Sequence, residues 1–166
     1  MGILIAIPIL IILVILQSAI VSLVPLLHGI ADIVLLAILA WAVQDRVTTA
    51  WYWSAIGGLL ISVASALPVG VALAGYFLAT GVALLVRRWV WQVPLLAMLI
   101  ATFLGTIITQ GLAIFALNFI GTPIPWVEAL NLITLPSLLL NLALAIPMFA
   151  LISDLAKWVY PEEIEI

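Results

Sequence analysis

The sequence predicts an all-α integral membrane protein: a six-helix transmembrane bundle in a single domain, with both termini on the cytoplasmic side. Three observations carry that expectation. First, 68% of the 166 residues are hydrophobic and only 7% are charged, whereas soluble domains carry about a quarter charged residues. Second, apolar stretches long enough to cross ~30 Å of hydrocarbon recur from end to end, without the short alternating segments of a membrane barrel. Third, the basic residues segregate. Arg46, Arg87, Arg88 and Lys157 all fall on one side of a six-span layout, and basic residues mark the cytoplasmic face.

Punctuation by Pro, Gly and charge sets the elements. The first span is expected over 3–24. Its run "ILIAIPILIILVILQSAIVSLV" has no basic leader and no small-residue cleavage site, and so reads as a retained helix. The second, 30–44, opens after "HG" and carries Asp32 near its start, and the third runs over 49–66. Both are short for full crossings. The fourth, 69–86, follows "SALPVG" with almost no loop and ends at Arg87-Arg88. The fifth covers 93–118. The loop "GTPIPWVEALN" then lies on the membrane surface, and the sixth span runs over 134–156. The tail "PEEIEI" holds three of the seven acids and reads as a solvated end. Trp41, Trp51, Trp53, Trp89, Trp91 and Trp158 fall near the basic side and read as an interfacial belt, with Trp126 alone on the outer face.

Small residues recur every four positions: Ser54, Gly58, Ser62 and Ala66; Gly75, Ala79 and Ala83; Ala101, Gly105, Thr109 and Ala113. Helices in lipid gain little from the hydrophobic effect, and such stripes let backbones approach closely. They are expected to pack the bundle internally.

No catalytic set is legible. There is no cysteine, no His-Glu-x-x-His helix, no Gly-x-Ser-x-Gly elbow and no phosphate-cradling loop. The single His28 makes no multi-histidine metal site. No enzyme activity, metal, cofactor or nucleic-acid partner is expected. The polar residues inside the spans are Gln17, Ser18, Ser22, Asp32, Thr109, Gln110 and Asn141. Asp32 follows Gly29 at a helix entrance, where a carboxylate accepts unpaired backbone N–H groups and complements the helix dipole. That role is preferred over a proton or ion site. Asn141 needs an amide partner inside the membrane; Ser137 and Ala145 share its face. Pro147 frees a carbonyl and is expected to bend the last helix.

The stretch "LQSAIVSLVPLLHGIADIVLLAILAW" resembles the opening of the MreD family of rod shape-determining membrane proteins, through Leu16-Gln17-Ser18, Pro25, Gly29 and Asp32. "GGLLISVASALPVGVALAGYFL" resembles the family's central segment, with Pro68 and Gly70. "LPSLLLNLALAIPMFALISDL" resembles its closing helix, with Leu135-Pro136, Asn141 and Pro147. Ala31 and Ser62 depart from it: the family has proline at the first and often aspartate near the second. The resemblance implies a non-enzymatic scaffold in the bacterial plasma membrane, part of the cell-elongation machinery for side-wall peptidoglycan. Its implied partners are an MreC-type single-span protein and, directly or indirectly, a SEDS glycosyltransferase with a class B penicillin-binding protein. The face of Ser137, Asn141 and Ala145 is the expected MreC docking site. The family's bundle is also similar to the S-components of energy-coupling-factor transporters, which leaves a small-molecule uptake subunit as the alternative.

Overall fold

The computed structural model describes residues 2–19, 28–68, 70–121 and 125–161. Ser22, Pro25, the expected end of the first span and the acidic tail lie outside the described residues. Among those described there are six helices and no β-strand: α1 (Gly2–Ala19), α2 (Ile33–Ala42), α3 (Ala50–Ala64), α4 (Val71–Trp89), α5 (Pro94–Phe119) and α6 (Trp126–Val159). Four of them, α1, α4, α5 and α6, are long and apolar enough to cross a membrane. The protein is therefore a helical membrane protein. The remaining two are shorter than a crossing, at 10 residues for α2 and 15 for α3.

α2 is the centre of the bundle. All ten of its residues are buried, and it packs against each of the other five helices. Its sequence, IVLLAILAWA, is apolar on every face, which suits a helix with neighbours all round. At 1.5 Å per residue it is only about 15 Å long. The chain reaches it through a non-helical lead-in, 28–32, that lies along α6.

The small-residue stripes sit at the helix crossings. α4 meets α5 along Gly75 and Ala79 on one side and Gly105 and Thr109 on the other. A Cβ on Gly75 would lie 3.2 Å from Thr109 Cγ2, and one on Gly105 would lie 3.4 Å from Ala79 Cβ. Gly58 meets the α4 backbone: an added Cβ would stand 2.8 Å from Leu73 Cα. Ser54 and Ser62 are buried on the same helix, while Ala66, at the end of that stripe, is exposed. Gly58→Val is expected to force α3 and α4 apart and destabilise the protein by about 1–3 kcal/mol. Thermal unfolding in detergent checks this against Gly111→Ala, where nothing lies within 4 Å.

Two expectations are corrected here. The segment after Pro125 is not a surface loop; it is helix from Trp126 and continuous with the last span. Pro136 lies within that helix. Its missing N–H is absorbed by a π-helical stretch over Leu130–Thr134, closed by a bond from the Leu135 N–H to the Leu130 carbonyl. The tryptophan belt is also smaller than the composition suggests. Trp41 and Trp53 are fully buried and stack at 4.3 Å, each indole N–H satisfied inside the protein, by Thr49 Oγ1 and the Gly2 carbonyl. Trp51, Trp89, Trp91 and Trp158 remain exposed. The last helix runs through Pro147 without interruption.

Candidate functional site

The polar residues singled out in the sequence converge at the N-terminal end of α2. A helix start leaves four backbone N–H groups without intrahelical partners, and inside a membrane water is absent to satisfy them. Side chains from three helices do so. Asp32 is the N-cap, and its Oδ1 accepts from the Leu35 N–H at 2.9 Å. Gln17, from α1, accepts from the Val34 N–H at 3.2 Å. Asn141, from α6, accepts from the Asp32 N–H at 2.8 Å, and its amide N–H donates to Thr106 Oγ1 on α5 at 2.9 Å. Ser137 Oγ accepts from the Ile30 N–H at 3.1 Å.

The lead-in is bonded in a regular way. The alternate N–H groups of His28, Ile30 and Asp32 go to the Leu132 carbonyl, Ser137 Oγ and Asn141 Oδ1 of α6. Two residues of extended chain advance about 6.6 Å, close to the ~6 Å advance of four helical residues, so the two elements stay in step. The Leu132 carbonyl is free to accept because Pro136, four residues on, has no N–H. Gly29 permits the approach: a Cβ there would lie 2.5 Å from the Ser137 backbone nitrogen and 2.9 Å from the Ile133 carbonyl.

Asp32 gains one partner that the sequence did not indicate. The Tyr76 hydroxyl, from α4, donates to both carboxylate oxygens at 2.8 Å. Tyr76 is 2% exposed and lies eleven residues before Arg87 on one helix. Asp32 is thereby about 17 Å along the bundle from the basic end. The carboxylate is thus held inside the bundle, between α2 and α4. Placing an aspartate at a helix centre costs ~2.5–3.5 kcal/mol. Hydrogen bonds to a charged group contribute ~1.5–3 kcal/mol each, so two donors offset that cost.

The opposite end of α2 is closed by Arg87, whose Nη1 donates to the carbonyls of Ala42, Gln44 and Val47 at 3.1, 2.7 and 3.3 Å. Gln44 Nε2 donates to the Ala40 carbonyl. Arg46 donates to the Tyr160 carbonyl, so the basic residues, the 43–49 turn and the end of α6 share one end of the molecule.

The remaining candidates are placed as follows. Ser137, Asn141 and Ala145 are all essentially inaccessible, at 1%, 1% and 0% exposure. The expected docking face for a partner helix is therefore corrected: its polar groups are spent on α2 and α5, inside this chain. Pro147 is exposed. Thr109 donates to the Gly105 and Thr106 carbonyls of its own helix. Beside it, a cavity of about 100 Å³ is lined by Asp32, Tyr76, Thr109 and Gln110 together with apolar residues of α3 to α5. His28 and Glu128 line a separate cavity of about 200 Å³. No group of three His, Cys, Asp or Glu that could hold a metal occurs among the described residues.

No family model, no curated protein and no solved structure matches the chain.

Proposed function

We propose that this protein is a non-catalytic scaffold subunit of the bacterial cell-elongation complex, similar to the MreD family. It would sit in the plasma membrane with six crossings and both termini cytoplasmic. One observation carries the reading. Five of the residues through which the chain resembles that family, Gln17, Gly29, Asp32, Pro136 and Asn141, meet at the start of α2. There they bond the backbone and one another, a role in holding shape rather than in transforming a substrate. The one-sided cluster of Arg46, Arg87 and Tyr160 supports a cytoplasmic end. The lead-in and α2 together give about 30 Å of chain, enough for a crossing whose irregular part is sheltered by α6.

An uptake subunit requires a cavity that encloses its ligand, typically ~300–1,000 Å³ with convergent polar groups. The cavities with polar walls here, about 100 and 200 Å³, are too small for a vitamin, and two larger ones, about 510 and 540 Å³, are lined by apolar residues alone. The scaffold is the reading favoured.

Affinity purification of the intact protein from native membranes tests it. An MreC-type single-span protein, with or without a class B penicillin-binding protein and its SEDS glycosyltransferase, is the expected co-purifying set. Recovery of a paired ATPase with a coupling subunit would overturn the scaffold in favour of uptake.

A further inference from the structure

The cavity beside Asp32 has a property that the capping role does not use. Its polar walls offer more lone pairs than free protons, the Gln110 amide supplying both. The Tyr76 hydroxyl proton is committed to the Asp32 carboxylate. The Thr109 hydroxyl proton is committed to carbonyls of its own helix. Asp32 Oδ2 accepts from Tyr76 and keeps acceptor capacity, since an ionised carboxylate has about four lone-pair sites. Gln110 lines the same space, and its side chain has no hydrogen bond among the described residues, so the amide can turn its oxygen inward. A hydrogen-bond donor or a cation is the complement of such a lining.

The charge balance points the same way. All four Lys and Arg lie elsewhere in the sequence, with Arg87 and Arg46 bonded at the far end of the bundle. The N-terminus of α2 contributes about half a positive charge next to the carboxylate, so with Asp32 ionised the site is net negative and a bound cation balances it. Hard oxygen ligands of this kind suit alkali cations, whereas divalent ions are usually held by more than one carboxylate or by many oxygens. A volume near 100 Å³ admits one small ion with a few waters, at about 30 Å³ of liquid per water.

We propose that Asp32, Tyr76, Thr109 and Gln110 form a binding site for one small monovalent cation, of the Na⁺, K⁺ or ammonium class, within the bundle. The site is independent of the scaffold reading and stands or falls separately from it. The ion locks α2 against α4 and α5, because its ligands come from all three.

The test uses the full chain in detergent or nanodiscs, with Tm measured in NaCl, KCl, NH₄Cl and choline chloride at matched ionic strength. At least one of the three small cations is expected to raise Tm saturably above the choline value, and the one that does so at the lowest concentration identifies the ion. Asp32→Asn keeps an N-cap side chain, since Asn and Asp cap about equally well, and is expected to abolish the shift. Gln110→Leu removes no side-chain hydrogen bond among the described residues and is expected to raise the half-saturating concentration about tenfold. It also carries the test if Asp32→Asn does not fold. Equal Tm in choline and in every small cation would overturn the proposal. So would a shift that both variants retain.

Discussion

Arg87→Leu is expected to destabilise the protein by about 3 kcal/mol or more, the largest effect of any basic residue in the chain. The guanidinium serves the carbonyls of Ala42, Gln44 and Val47, and all three residues are buried. Removing the donor leaves these acceptors without a partner. Hydrogen bonds to a charged group contribute ~1.5–3 kcal/mol each, and an orphaned buried acceptor adds its own desolvation penalty. Leucine supplies apolar volume but no donor. Arg87→Lys retains a cation at the helix C-terminus with a compact head in place of the fork, and is expected to recover about half of the loss. Arg88→Leu, at an exposed neighbour, is the control and is expected to change stability by less than about 0.5 kcal/mol. Reversible unfolding in mixed micelles measures all three.

At the opposite pole, Asn141→Ala is expected to cost about 3 kcal/mol and to act locally first. The Asp32 N–H loses its acceptor, Thr106 loses its donor, and a small cavity opens where the side chain is 1% exposed. One unsatisfied buried group is worth ~1–3 kcal/mol, and the cavity adds to it. Hydrogen exchange distinguishes this from general loosening. The amides of Ile30, Asp32, Val34 and Leu35 are expected to exchange faster, while those of α5 keep wild-type protection. Uniform acceleration across all helices would contradict the local account.

Much of this arrangement is legible from residue chemistry. An aspartate just before an unbroken apolar run signals a helix start, and an asparagine in a lipid-facing sequence demands a partner. What periodicity could not supply was the identity of that partner. Tyr76 lies 44 residues from Asp32 and Thr106 lies 35 from Asn141, and nothing in either local sequence marks the pairing. The central place of α2 was readable in one sense, since a helix apolar on every face has no lipid side to choose. Its shortness instead suggested a marginal span. The start of α6 was misread because "GTPIPWVEALN", with its two prolines, reads as a loop, which set the last span at 134–156. Here Pro136 lies inside the helix, and a π-turn with a bond from His28 to the Leu132 carbonyl takes up the defect. Trp41 and Trp53 were drawn to the interface by residue type, yet each finds an internal acceptor, which removes the reason for an amphipathic ring to stay at the headgroups.

The burial of α2 also sets an order for biogenesis. Ten residues, about 15 Å of helix, are too few to hold a place across the bilayer unaided. Gln17 and Asp32 precede it in the chain, but the other groups that satisfy its two ends are made later: Tyr76 and Arg87 on α4, Ser137 and Asn141 on α6. The inserting chain therefore carries its future core as an incomplete segment through most of its synthesis. The bundle closes around that segment only when the last helix arrives, so a chain truncated before α6 is left with the Ile30 and Asp32 N–H groups open. For such a protein the final helix is the step that commits the fold.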